Sequence, residues 1–345
     1  MDIALAMIVK NEAAVLRRCL DSVYEHVTEV VIHDTGSSDD TVKVGLEFTD
    51  AVMPAEWSSF GENRAEVIRD ASGTSDYVLL ADADFVFHFD DDFEWPELAD
   101  EAYFIRIREG DIEYDYAALL RADREWNYIG RTHECLAGLP TDIKRIDGVW
   151  IEHRADGGCR AEKFERDLEL LERDLIDDSV NTRAWFYFAQ TLKCLGRNEE
   201  AADAYLVRAE MGGWDEEVYC SLLEAGILRN SVSLLLRAWS IRPTRLEALY
   251  EAIWRLRIAR AHHAIRALLM GAQSTGPWSD GLDDKLFVRR WVWDYALGFE
   301  AWLNSVQMGA EDVEIRDHLL HDVDNLPEAY RRAMSFAMEE SADSE

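Results

Sequence analysis

Residues 3–9 are apolar without interruption, which reads as a strand buried on both faces of a parallel sheet. From 12 to 27 the apolar positions fall at Val15, Leu16, Cys19, Leu20, Val23 and Val27, a helical spacing that gathers them on one stripe. The alternation continues with a strand at 30–32, a helix capped by Ser38 or Asp39 and running to Leu46, a short strand at 51–53, a helix at 60–71 and a strand at 77–81. Strand-like runs follow at 103–107, 114–120 and 149–153. This pattern predicts a mostly parallel α/β sheet covered by helices over residues 1–157. After Gly157-Gly158 the period changes to 3.6, with Leu168, Leu170, Leu171 and Leu175 on one helix and a helix pair at 184–195 and 199–211 hinged at Gly196-Arg197-Asn198. Helical patterning runs on to 338, broken at Pro243, Gly276-Pro277 and Pro327, so 158–338 reads as an all-α domain. The acidic tail 339–345 is expected to fray.

The 345 residues suit about two domains. The net charge of −33 excludes a protein that coats nucleic acid through bulk charge. It hides a local patch: between Arg229 and Arg266 lie eight arginines, at 229, 237, 242, 245, 255, 257, 260 and 266, opposed in sequence by Glu247 and Glu251 alone. Trp239, Trp254, His262 and His263 are interleaved with them. Aromatics among guanidinium groups are the ingredients of a nucleic-acid groove, or equally of a basic helical face that pairs with acidic parts of the chain or with a second copy. The five cysteines (19, 135, 159, 194, 220) are odd in number and show no C-x-x-C spacing, so free thiols in a cytoplasmic setting are expected. The apolar start ends at Lys10-Asn11-Glu12, too short for a signal peptide or a span, and no other stretch is apolar for 18 residues; no membrane partner is expected.

The chemistry is concentrated at Asp82-Ala83-Asp84, just past the strand at 77–81. Ligands of parallel sheets sit beyond the carboxyl ends of strands. Two carboxylates two residues apart repel unless a cation lies between them or one is protonated. A hard divalent cation with positions left for a diphosphate suits them, although a bare D-x-D is a weak signal. Three more motifs precede it: Ile8-Val9-Lys10-Asn11-Glu12 after the first strand, Asp34-Thr35-Gly36-Ser37-Ser38-Asp39-Asp40-Thr41 after the second, and Trp57, Phe60 and Asn63-Arg64 before the fourth. In this order they resemble the family-2 glycosyltransferases of the GT-A fold. Trp126-Asn127-Tyr128-Ile129-Gly130-Arg131-Thr132-His133-Glu134 is similar to a downstream "Y-x-G-x-x-H-E" segment of that family, and Ile151-Glu152-His153 to an "I-x-H". Residues 185–205 resemble one tetratricopeptide unit, and residues 186–205 with Gly212-Gly213-Trp214-Asp215-Glu216-Glu217 resemble the appendage of bacterial and phage members such as the sublancin-type peptide S-glycosyltransferases. The resemblance covers residues 1–225.

The resemblance implies a GT-A (Rossmann-like) domain followed by an all-α tetratricopeptide-like domain, with a UDP-sugar donor and Mn²⁺ or Mg²⁺. It places Val9, Asn11, Glu12, Asp34, Arg64, Asp82 and Ala83 at the donor. Asp34 would accept from the uracil imide, or else merely hold its own turn. Arg64 would stack on the base or pair with a phosphate, or else pair at the surface with Glu62 or Glu66. Glu12 could equally be a first-turn helix acid. Asp84 is the first candidate metal ligand, with His153 and then His133 behind it, either of which could instead be structural. Glu134 is the candidate base for the acceptor proton, or else a helix-start glutamate. A thiol acceptor would need a weaker base than a hydroxyl, because thiols ionise near pH 8.5.

The acceptor is not legible. Stacked helix pairs offer a groove, which favours a macromolecular acceptor, a protein or peptide, with Trp126, Tyr128, Arg255 and Arg260 as candidate contacts. The alternative is DNA carrying hydroxymethylated bases, taken up by the arginine patch. A reading of another class is a scaffold with a GT-A domain that has lost catalysis. A homodimer and a cytoplasmic location (host cytoplasm for a phage protein) are expected.

Overall fold

The computed structural model describes residues 1–73, 75–110, 112–157, 163–273, 286–309, 312–321 and 326–342. They form two compact units, Met1–Asp177 and Asp178–Glu345.

The first unit is an eight-stranded sheet. Its elements in chain order are β1 (Ile3–Val9), α1 (Leu16–Val23), β2 (Glu29–Asp34), α2 (Thr41–Gly45), β3 (Val52–Pro54), α3 (Phe60–Ala71), β4 (Tyr77–Leu80), β5 (Phe85–Phe89), β6 (Ala102–Glu109), β7 (Ile112–Arg121), a small ribbon of β8 (Tyr128–Ile129) and β9 (Cys135–Leu136), β10 (Lys144–His153) and α4 (Lys163–Asp177). The strand order is β3-β2-β1-β4-β7-β6-β10-β5. The first four strands are parallel; β7 and β5 run antiparallel to their neighbours. β1 is uniformly apolar because both its faces are covered. Ile3, Leu5, Met7 and Val9 pack with α1, while Ala4 and Ala6 pack with Val67, Ile68 and Ala71 of α3. Parallel pairing puts the carboxyl ends of β1, β2 and β4 on one edge, with Val9 opposite Asp34.

Two elements depart from the pattern reading. Residues 85–89 are assigned no element by the pattern, but they form β5, because their antiparallel pairing with β10 buries Phe85 and Phe87. α4 has the helical period of the second half, yet it packs in the first unit: Asp174 accepts from the Arg131 backbone N–H and pairs with its guanidinium (2.7 Å), and Thr132 donates to Asp167.

The second unit is helical: α5 (Thr182–Cys194), α6 (Asn198–Glu210), α7 (Asp215–Leu228), α8 (Val232–Ile241), α9 (Glu247–Ile258), α10 (His262–Gln273), a π-helical turn Val292–Ala296 leading into α11 (Leu297–Gln307), α12 (Val313–His321) and α13 (Glu328–Ala342). Three helix pairs begin at Thr182, Asp215 and Glu247, roughly one tetratricopeptide period apart. Only the first was legible as a repeat. The predicted hinge is real: Gly196 ends α5 at φ +74°, a conformation that favours glycine. Small residues allow the close approach, with Ala189, Ala201 and Ala202 fully buried and a Cβ on Gly226 only 2.8 Å from Leu235.

Candidate active site

Two cavities open at the carboxyl edge of the sheet, and they share a wall. The first, about 300 Å³, lies beyond β1 and β4 and is lined by Val9, Lys10, Glu12, Asp82, Ala83 and Asp84 among others. The second, about 340 Å³, is lined by Tyr114, Tyr116, Tyr128, His133, Glu134 and Asp167 among others. Phe60, Arg64, Asp82, His153 and Lys163 face both.

Arg64 forms the wall. It is held on α3, whose start is fixed by Ser59 accepting from the Glu62 N–H and by the Phe60 N–H donating to the Arg131 carbonyl. Gly61 lets the helix touch the 128–134 loop, since a Cβ there would lie 2.5 Å from the Gly130 carbonyl oxygen. From this position Arg64 donates through Nη2 to Asp82 (2.6 Å) and through Nε to Glu134 (2.7 Å). Burial opposes its charge, but the two carboxylates outweigh burial and raise its pKa well above the ordinary arginine value. The partners expected in sequence, Glu62 and Glu66, are therefore replaced by acids 18 and 70 residues away.

Asp84 meets His153 because β5 pairs antiparallel with β10, setting Phe85 opposite His153. Asp84 Oδ2 lies 3.4 Å from His153 Nε2, and His153 Nδ1 is 3.1 Å from Glu109. Burial works against ionised Asp84, yet His153 holds its carboxyl below the usual range. Asp84 in turn raises the His153 pKa against the opposing effect of burial, with Glu109 assisting. A Cβ on Gly157 would lie 3.1 Å from a Glu12 carboxylate oxygen and 3.4 Å from one of Asp84, so both acids face one small space. Two carboxylates and an imidazole are a donor set that suits Mn²⁺ or Mg²⁺. Among the described residues no three His, Cys, Asp or Glu side chains come close enough to hold an ion by themselves.

The other expected site residues divide sharply. Asn11, at φ +56°, accepts from the Ser38 N–H through its side chain and donates its own backbone N–H to Ser37 Oγ, so it ties the first two strand ends together. Asp34 is 8% exposed and accepts from the N–H groups of Gly36 and Ser37, the turn-holding arrangement. His133, at φ +49°, lines the second cavity and is not in the Asp84 group. Tyr128 lines that cavity too, and its hydroxyl is buried without a hydrogen-bond partner among the described residues. Burial raises the pKa values of Tyr128 and Tyr116, so both stay protonated donors. Trp126 is away from the cavities: it is 3% exposed in the core beneath the sheet, and its indole donates to the Arg121 carbonyl.

Six of the eight arginines of the patch are paired with acids. Arg229 pairs with Asp203, Arg237 with Glu210 (2.6 Å), Arg242 and Arg245 with Glu216, Arg255 with Glu251 (2.5 Å) and Arg257 with Glu300 (2.6 Å). Arg245 also pairs with Glu247 at 2.9 Å, with all three side chains fully buried. Most of these acids come from other helices, which a count along the sequence cannot register. Arg260, a candidate acceptor contact, is exposed and lies outside these pairs; Arg255 is committed to Glu251 and Asn230. Four cysteines are free thiols, and Cys159 lies outside the described residues. No helix among the described residues is long and apolar enough to cross a membrane.

Pattern reading did not single out Lys163 and Arg166 of α4, which reach the first cavity, or Tyr114 and Tyr116 of β7. The only signal for them is their place on the polar side of a helix or strand, which they share with many surface residues.

The amino-terminal elements that carry Asn11, Asp34, Arg64, Asp82 and Asp84 fall in a recognisable stretch: residues 5–107 match the glycosyl transferase family 2 model. Among curated proteins the chain is 25% identical over 222 residues to the glycosyltransferase SunS of Bacillus phage SPbeta and to its prophage-derived form in Bacillus subtilis, covering 58% of this chain and 51% of theirs. It is 39% identical over 83 residues to a TPR repeat-containing protein of Synechococcus elongatus, covering 24% of this chain and 20% of that one. The chain thus spans between a fifth and about half the length of these relatives. Among solved structures, residues 1–349 of S. aureus TarS in complex with UDP align over 84% of this chain and 96% of theirs, at 12% identity and a TM-score of 0.35.

Proposed function

We propose that the chain is an inverting glycosyltransferase that moves a sugar from a UDP-sugar to a side chain of a protein or peptide, through oxygen or sulfur. The observation that carries this reading is the pair of cavities meeting at the Asp82–Arg64–Glu134 bridge. One side offers carboxylates and an imidazole to a cation-bound diphosphate, and the other offers Glu134 beside a tyrosine-lined space for an acceptor. The relatives named as glycosyltransferases support the class of reaction, and the helical repeats support a macromolecular acceptor.

The donor's diphosphate occupies the first cavity, with Val9, Glu12 and Ala83 shaping it. Asp84 and His153 would hold a divalent cation, which when bound supplies positive charge for the departing diphosphate. Asp82, fixed by Arg64, sits where the sugar or ribose must pass and can accept from a hydroxyl. The acceptor oxygen or sulfur enters from the second cavity and attacks the anomeric carbon on the face opposite the diphosphate. The new bond forms as the carbon–phosphate oxygen bond breaks, the electron pair leaves on the diphosphate, and Glu134 takes the acceptor proton. Arg64 holds the Glu134 carboxylate in a fixed orientation before the step. The Tyr128 hydroxyl is a donor available to the acceptor.

Full-length protein with Mn²⁺ should bind UDP and slowly hydrolyse a UDP-sugar. Asp84→Ala should lose the Mn²⁺-dependent part of UDP affinity, and unchanged affinity removes Asp84 from the site. Glu134→Gln should keep UDP binding but transfer at least ~100-fold more slowly, the scale of general-base catalysis; near-normal turnover rejects it as the base. A protein that neither binds UDP nor hydrolyses any UDP-sugar would be a binding scaffold.

A further inference from the structure

In a chain of net charge −33, the first cavity has the opposite balance. Its charged lining consists of Lys10, Arg64, Lys163 and Arg166 against Glu12, Asp82 and Asp84, one more cation than anion with His153 neutral. Arg64 is committed to Asp82 and Glu134. Lys163 and Arg166 stand three residues apart in the first turn of α4, and residues at that spacing share a helix face. Lys163 faces both cavities. Arg166 faces the first, lies 5.0 Å over the Phe60 ring, and is 3.7 Å from Asp167. α4 is not loose: Arg131 grips Asp174 and Asp177, and Thr132 donates to the buried Asp167. The two cations are therefore delivered from a helix anchored to the loop that carries Glu134.

The candidate cation site is poor in protein ligands by comparison. Asp84 and His153 touch each other, and no three ligating side chains gather among the described residues. A divalent cation carries two positive charges against about three negative ones on a departing nucleoside diphosphate near neutral pH, so part of that charge is left for other groups to offset.

We propose that Lys163 and Arg166 bind the diphosphate of the nucleotide directly and share with the divalent cation the neutralisation of the leaving group. This rests on the UDP-sugar reading above. As the bond from the anomeric carbon breaks, the electron pair stays on the β-phosphate oxygen and the leaving group gains one negative charge. The Lys163 ammonium and the Arg166 guanidinium donate hydrogen bonds to its oxygens without giving up a proton, and these bonds strengthen as the charge develops. Direct contact by protein cations implies that nucleotide binding survives removal of the metal in part, and that salt weakens it.

The test is UDP affinity by calorimetry on the full chain, in Mn²⁺ and in EDTA, with uridine as the phosphate-free probe. Wild type should bind UDP in EDTA, more weakly than in Mn²⁺. Lys163→Ala and Arg166→Ala should each lose about tenfold or more in UDP affinity under both conditions, the scale of one charge-assisted hydrogen bond. The double variant in EDTA should show no UDP preference over uridine. Uridine affinity should be unchanged throughout, Lys163→Arg should restore most of the loss, and Arg17→Ala, at a surface pair with Glu47, should change nothing. Wild-type UDP affinity in both single variants overturns the proposal, as does an equal loss of uridine and UDP affinity, which marks a folding defect. Failure of the wild type to bind UDP in either condition is a separate result, and it removes the donor reading itself.

Discussion

Arg64 shows how much of a residue's role depends on its neighbours in space. Along the sequence it stands among Glu62 and Glu66 on a helix, yet it bridges Asp82 and Glu134. Removing it leaves two carboxylates facing each other in a partly buried space. Arg64→Met should therefore cost about 3 kcal/mol in urea unfolding at pH 7, the scale of a broken buried pair. Asp167 makes the complementary case. It is 1% exposed, and burial raises its pKa despite the nearby Arg166 and Lys163. A raised folded-state pKa means that Asp167 contributes most to stability below its ordinary value near pH 3.8, and that this contribution is lost as pH rises through the folded value. Asp167→Asn keeps an acceptor for Thr132 and removes the buried charge. It should raise the thermal midpoint at pH 7, by about 1 kcal/mol in stability terms, and the gain should vanish below about pH 4. A gain that persists in acid would assign the effect to packing.

Elements were more legible than partners. The strand ends at Val9, Asp34 and Leu80 follow from apolar runs, because a strand covered on both faces has no polar position to obscure it. β5 was missed because five residues directly after two aspartates carry too little pattern to mark a strand until β10 comes alongside. α4 has the same helical signature whether it joins the sheet or the repeats; its ion pairs with Arg131 decide the matter. The seam between α3 and the 128–134 loop is the sharpest dependence of the site on element packing. Gly61→Ala places a methyl 2.5 Å from a backbone oxygen, so the helix must retreat from the loop. That should destabilise the protein by about 1–3 kcal/mol and, because Arg64 and Glu134 lie on either side of the seam, reduce transfer more than UDP binding. Equal effects on both would place the seam outside the acceptor half.

Across the whole molecule, the charge of −33 and the cluster of arginines are two aspects of one pattern. Most of the arginines from 229 to 257 are absorbed by acids of neighbouring helices, and one of them, Arg245, lies in a fully buried network with Glu216 and Glu247. Their worth differs with burial. Glu247→Ala removes one of the two carboxylates that neutralise the fully buried Arg245 and should cost about 3 kcal/mol, while Arg237→Ala, at an exposed pair, should stay within about 0.5 kcal/mol. Similar costs in chemical denaturation would show the buried network to be solvated. The same absorption removes the basis for a DNA acceptor: labelled hydroxymethylated duplex should gain no sugar from a labelled UDP-sugar under conditions where a protein lysate does.

By itself the sequence determined the alternation of strands and helices up to β4, the change of period between the halves, and the position of Asp34, Asp82 and Asp84 at strand ends, because periodicity and strand termination are local properties. Tertiary structure alone decided which charges meet. It set His153 beside Asp84 through antiparallel pairing, closed Arg64 on two distant carboxylates, brought Lys163 and Arg166 to the cavity, and dissolved the arginine patch into ion pairs. Electrostatic partners are chosen by distance in space, and chain separation carries almost no information about that distance once helices pack on a sheet or on one another.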